Sequence, residues 1–262
     1  MAKKTTTILN WTVACVGFIS LCSPVWALNL DRLEPSEIET LQSLLTTLEP
    51  SLTQKQQDGT AILLRWDELY APLNPEQKAF LDEFRHLRGK TLGSTSRYYG
   101  ELEAAPDLAA VGQQTSIVNG VPAPINPQYL PKPALAAYQR MMDAMDADIG
   151  KRLFVESGYR SPAYQAYLFL FFMSNHDYSL KETNRFVALP GHSEHGNPAR
   201  QAIDFMNQEG INGDGKPEAF EALPEYQWLT THASAFGFAL SYPRGNSDNT
   251  AFEPWHWRYE GS

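Results

Sequence analysis

The chain has 262 residues, 43% of them hydrophobic, and a formal net charge of −9. That length suits one sizeable core, or one domain with an appendage, and twelve tyrosines with thirteen phenylalanines exclude a disordered chain. The acidic balance argues against a nucleic-acid partner and leaves small peptides open, because their binding is decided locally.

Lys3 and Lys4, the largely apolar run from Ile8 to Leu21, and the ending Val25-Trp26-Ala27 have the form of an export signal over residues 1–27, cleaved after Ala27. The run is shorter than the roughly 18–20 apolar residues that span a bilayer, and Asn10 interrupts it. An uncleaved leader is the alternative, and the one route by which the chain would meet a membrane. Cleavage removes two lysines and no acids, taking the net charge from −9 to −11. Both cysteines, Cys15 and Cys22, lie here, so the mature chain would hold no disulfide and no thiolate-bound metal. The expected product is an exported monomer of the periplasm or cell envelope.

Residues 28–116 read as a helical N-terminal region and linker. Ser36-Glu37-Ile38-Glu39 offers a cap with acid in the first turn, and Ile38, Leu41, Leu44, Leu45 and Leu48 recur at helical spacing. Pro75-Glu76 opens a second helix carrying Phe80, Leu81 and Phe84 on one side. His86 is isolated, and nothing here suggests chemistry. From 105 to 133 six prolines and two glycines predict an extended connection.

Residues 117–262 read as the chemical domain. A helix is predicted over about 134–147 and a strand over 152–156. Ser161-Pro162 then starts a helix through Phe172, and Ser179 caps a further one. Late strands are predicted at 201–205, 238–242 and 252–259. Helices beside a small antiparallel sheet make an α+β fold, with the mainly helical N-terminal region as an extension.

Zinc accepts imidazole nitrogen and carboxylate oxygen, and a catalytic site uses three protein ligands with one open position. His195, Asp204 and His256 offer that set. The histidines lie 61 residues apart, so only the fold can bring them together; otherwise they are ordinary histidines that never meet. Glu253 precedes His256 by three residues, and on a regular strand the two would face opposite sides. Pro254 breaks the ladder between them and allows one shared pocket. Arg160 follows a strand and Gly158, placed to hold a carboxylate through two parallel hydrogen bonds, or else to form a structural ion pair. Gln165, one turn into the helix, could share the same anion, and Ser193 could bond an amide or only make a turn. His192, His176 and His232 have no partner at ligand spacing. Asn212-Gly213-Asp214-Gly215 lacks the acid spacing of a calcium loop and reads as a tight turn.

Three segments resemble the VanY-type D-alanyl-D-alanine carboxypeptidases, zinc peptidases that trim bacterial cell-wall peptides. They are Ser157-Gly158-Tyr159-Arg160-Ser161 with Gln165, Ser193-Glu194-His195 through Ala202-Ile203-Asp204, and Glu253-Pro254-Trp255-His256 through Arg258-Tyr259. The second departs from the family pattern, with eight residues between His195 and Asp204 where six are usual, and Arg200 near an expected glycine. A longer loop with both ligands kept is the expected result. The resemblance implies zinc on His195, Asp204 and His256, and Glu253 as general base. It implies Arg160 gripping or polarising substrate, with Gln165, Ser193, Ser161 and Tyr159 beside it. The implied substrate is the D-alanine end of a peptidoglycan stem peptide. An L,D-carboxypeptidase or other wall peptidase of the same fold, or a zinc-containing wall-binding protein without catalysis, are the alternatives.

Overall fold

The computed structural model describes residues 28–102, 107–247 and 250–261. The expected leader, with both cysteines, lies outside them. Among the described residues no helix is long and apolar enough to cross a membrane.

Helix α1 (Pro35–Gln57) buries Leu41, Leu44, Leu48 and Leu52, one apolar stripe at three- and four-residue steps. It starts earlier than the Ser36 cap predicted. Glu34 is the N-cap, and its backbone N–H donates to the Glu37 carboxylate at 2.6 Å. The helix runs on through Pro50. After α2 (Trp66–Tyr70), helix α3 (Pro75–His86) opens as predicted at Pro75. Asn74 and Gln77 cap each other's N–H groups, and Phe80, Leu81 and Phe84 are buried.

The stretch expected as a plain connection contains four short strands: β1 (Leu108–Ala110), β2 (Thr115–Val118), β3 (Val121–Pro124) and β4 (Tyr129–Pro131). Strand β1 pairs with β4 and β2 with β3, both antiparallel. The β2–β3 turn is Asn119-Gly120, whose φ values of 53° and 78° are those of a tight two-residue hairpin. That dipeptide was a readable signal, masked by the prolines around it.

Helix α4 (Lys132–Ile149) leads into β5 (Leu153–Ser157), and α5 (Pro162–Phe172) follows, capped by Ser161 as predicted. The helix after Ser179, α6 (Leu180–Thr183), is only four residues long. Strand β6 (Ala202–Asn207) precedes two helices the sequence did not announce, α7 (Pro217–Glu221) and α8 (Pro224–His232). Strands β7 (Phe238–Leu240) and β8 (His256–Tyr259) close a four-stranded antiparallel sheet of order β5-β6-β8-β7. One face of this sheet, with Val155, Phe205 and Trp257, packs on Met141, Met142 and Met145 of α4.

A second core joins the N-terminal helices to α5. Leu44, Leu81 and Phe84 pack with Ala166 and Phe169, and the Phe84 and Phe169 rings are 5.1 Å apart. Ser161 ties the two together further, its N–H donating to the Ile62 carbonyl and its hydroxyl to the Leu64 carbonyl at 2.6 Å. Helices from residues 28–102 are therefore packed into the body that carries the second half of the chain.

Between β5 and α5 the chain turns at Gly158, where a Cβ would lie 2.5 Å from the Tyr129 carbonyl oxygen of β4. That approach exists because Tyr159 N–H donates to the same oxygen at 2.8 Å. Gly158→Ala should force the two segments apart and cost about 1–3 kcal/mol, read as a lowered thermal midpoint.

Candidate active site

Register places the first two candidate ligands. Asp204 of β6 is directly opposite His256 of β8 on one side and Ser157 of β5 on the other. Since side chains alternate, Ile203 and Phe205 enter the core while Asp204 turns to the opposite face. Asp204 Oδ1 lies 2.8 Å from His256 Nδ1. His195 arrives on a short 3-10 turn, Glu194–Gly196, locked to the turn after β5. Arg160 N–H donates to the His195 carbonyl, and His195 Nδ1 donates to the Gly158 carbonyl at 2.7 Å. This hydrogen bond fixes the tautomer and leaves Nε2 as the bare lone pair.

That Nε2 is fully buried and has no hydrogen-bond partner, although Asp204 Oδ2 lies 3.1 Å away. One donor atom from each of His195, Asp204 and His256 falls within 4.8 Å of the others. Two imidazoles, one carboxylate and an orphaned buried nitrogen fit a metal ion of zinc's preference. The lengthened loop does not disturb the set. Its extra residues form a turn, Pro198–Arg200, capped by Asn197 and pinned by an Arg200–Glu260 ion pair.

Glu194 is a functional residue that spacing alone did not single out. Its Oε2 lies 3.1 Å from His256 Nε2 and accepts from Ser241, and Arg258 stands 3.8 Å from Oε1. His256 thus donates through Nε2 to Glu194 and through Nδ1 to Asp204, and with a metal on Nδ1 it would hold the opposite tautomer from His195. Carboxylates that orient metal-bound imidazoles in this way also raise ligand basicity. Burial opposes charge on His256, yet Asp204 and Glu194 together push its pKa up. Burial, with Arg160 beside it, pushes His195 down to about 4.

Glu253 reaches the same spot because β8 begins later than predicted. Residues Glu253 to His256 form a turn closed by His256 N–H to the Glu253 carbonyl at 3.1 Å, with Pro254 at its second position. Both side chains therefore face one cavity, and Glu253 Oε2 is 3.7 Å from His256 Nδ1. Burial raises the Glu253 pKa to about 7, His256 opposing and Asp204 adding to the shift.

The cavity measures about 700 Å³ and is lined by Arg160, Gln165 and Ser193 as well as the ligands. Arg160 makes no ion pair among the described residues, and its buried Nε has no hydrogen-bond partner. Gln165 donates to the Ala188 carbonyl at 2.8 Å, while its buried Oε1 is unpartnered. Ser193 Oγ accepts from His195 N–H. Tyr159 and Ser161, placed beside substrate by the resemblance, do not line the cavity. Tyr159 is packed in the interior, and the Ser161 hydroxyl is spent on Leu64 and the first turn of α5. His192 binds Gly89 N–H and Ser96, joining the N-terminal region to the His195 loop. Gln56, Ile62 and Ser96 make that region one wall of the cavity. Glu156 also lines it, its pKa raised by burial to about 7 against the opposing Asn212 hydrogen bond.

Residues 127–262 match the family VanY, D-alanyl-D-alanine carboxypeptidase. The chain belongs to this family. It is 34% identical over 142 residues to the putative carboxypeptidase YodJ of Bacillus subtilis, covering 52% of this chain and 48% of that protein. Against VanXYC of Enterococcus gallinarum, a bifunctional D-Ala-D-Ala dipeptidase and D-Ala-D-Ala carboxypeptidase, it is 31% identical, covering 51% of this chain and 68% of that protein. A solved structure of the LdcB LD-carboxypeptidase is 31% identical, with a TM-score of 0.43, over 51% of this chain and 60% of that one. The chain spans about half the length of YodJ, the relative matched over 142 residues.

In this VanY-family site a metal held by His256 Nδ1 would displace the proton shared there with Asp204, with the Nε2 proton kept by Glu194. Because the His256 pKa is raised, that proton is present at neutral pH. Metal binding should release about one proton, and apparent affinity should rise about tenfold per pH unit from pH 6 to 8. Calorimetry in buffers of different ionisation enthalpy reads the proton count. Glu194→Gln should weaken metal binding by about 10–100-fold with the three ligands intact, measured by competition with a chelator.

Proposed function

We propose that this protein is a zinc-dependent carboxypeptidase that removes the terminal D-alanine from peptidoglycan stem peptides, and that it acts in the cell envelope after export. The observation that carries the reading is Arg160. A half-buried arginine with no ion pair among the described residues and an unpartnered buried Nε, in the same cavity as a His-Asp-His triad and the Glu253 carboxylate, is complementary to an anion from the ligand. A terminal carboxylate supplies it, and holding that group sets the last peptide bond over the triad.

The chain's own residues then divide the work. Arg160 binds the anion bidentately and orients the peptide. Glu253 accepts a proton at Oε2 from the attacking water and returns it to the departing amine; a pKa near neutrality suits both directions. Glu194 and the Gly158 carbonyl hold His256 and His195 in their ligating tautomers. Zinc, when bound by His195, Asp204 and His256, would supply a Lewis acid and an acidified water. The enclosing walls, from Ile62 and Ser96 on one side and Trp255 on the other, strengthen these electrostatic contacts by limiting bulk water.

Incubation with a stem pentapeptide ending in D-Ala-D-Ala should release one alanine, seen by mass spectrometry and abolished by a chelator. Cleavage confined to the matching tetrapeptide would replace the reading with L,D-cleavage. Glu253→Gln should keep one metal per chain and lose at least about a hundredfold in kcat. An unimpaired variant would remove Glu253 from the base role.

A further inference from the structure

Strand β5 is irregular where it matters. Its register to β6 pairs Val155 with Phe205 and then Ser157 with Asp204, so Glu156 is an extra residue opposite no partner. Such a bulge breaks the alternation of side chains and re-aims one of them. Ser157 and Glu156 both line the cavity as a result, although they are consecutive.

The Glu156 carboxylate is held rather than loose. Asn212 donates to its Oε1 at 2.6 Å, and among the described residues Oε2 accepts no hydrogen bond and neither oxygen makes an ion pair. Asp214, at the edge of the same cavity, also makes no ion pair among the described residues. Both Asp214 and the ligand Asp204 add negative potential at Glu156. Arg160 counters it from beyond ion-pair distance and already has the substrate's terminal carboxylate to hold. A fixed, desolvated carboxylate on a cavity wall, with one oxygen unpartnered among the described residues, is complementary to a cation delivered by a ligand. The Gln165 side chain, 2% exposed, also lines the cavity, and its buried Oε1 has no hydrogen-bond partner.

Position identifies which part of the ligand would dock. Ser157 is the cross-strand neighbour of Asp204, so Glu156 lies within about two strand spacings of the triad. An extended peptide advances about 3.3–3.6 Å per residue, so a side chain two residues upstream of the scissile bond falls in this range.

We infer that Glu156, fixed by Asn212, is a specificity-determining residue that receives a side-chain ammonium two residues upstream of the cleaved bond. The inference rests on the carboxypeptidase reading for the direction of the peptide.

The test uses two pentapeptides ending in D-Ala-D-Ala, one with L-lysine at the third position and one with its side chain N-acetylated. Binding is measured on the metal-loaded Glu253→Gln protein, and turnover on the unsubstituted protein, at pH 8, above the raised Glu156 pKa. The expected result is a preference of about tenfold for the free amine, falling with added salt. In Glu156→Gln it should fall to near unity, with KM rising more than kcat falls, and Glu156→Asp should restore part of it. Equal binding of the two peptides, or a preference that survives Glu156→Gln in a folded variant with one metal per chain, would overturn the inference. Absence of turnover with the binding preference intact would instead sink the carboxypeptidase reading and leave the ammonium site standing.

Discussion

The site is built around one cross-strand pair. Asp204 and His256 are register partners on β6 and β8, and their contact at 2.8 Å puts two donors side by side without any loop having to be held rigid. A one-residue slip of β8 would send His256 into the core and Trp257 into the cavity. The packing of Ile203, Phe205 and Trp257 against α4 and α8 therefore also selects the ligand geometry. Core and chemistry share a strand, one on each face.

The third donor is placed by a different device. His195 sits on an irregular turn, and its orientation comes from two hydrogen bonds with the Gly158–Arg160 turn. That turn is itself fixed by the close approach of β4 at Gly158 and by the Ser161 bonds to the N-terminal helices. Arg160 and His195 are consequently parts of one assembly. The N-terminal helices matter to chemistry through it, both as the surface on which α5 rests and as a wall of the cavity.

The electrostatic pattern is lopsided in a way that suits a hydrolase. Asp204 and Glu194 contact the two ring nitrogens of His256 and raise its pKa against the opposing effect of burial. Glu253, buried among these acids, is held near neutrality, where a carboxylate both accepts and returns a proton. Arg160 makes no ion pair among the described residues. The His195-Asp204-His256 donor set, which fits a metal, thus shares one cavity with a base held near neutrality and this arginine.

Much of this was legible in the residue order. Leucines at helical spacing marked α1, Pro75 and Ser161 marked the starts of α3 and α5, and the His, Asp, Glu and Arg of the three motifs named the donor set. Pro254 announced the break that lets Glu253 and His256 share a cavity. These signals are local, and local spacing encodes them. What the sequence left open is non-local: which face of β6 carries Asp204 inward, which nitrogen of each histidine is bare, and whether Arg160 finds a protein partner. The roles of Glu194 and Glu156 belong here too, since one depends on the ring of a residue 62 positions away and the other on a bulge defined only against β6. Tyr159 and Ser161 show the converse, because motif residues adjacent to Arg160 are turned into the interior by the same chain reversal that exposes it. Sequence fixes the inventory of groups and the short-range geometry. Register, tautomer and burial arise only when distant segments pack, and they decide what those groups do.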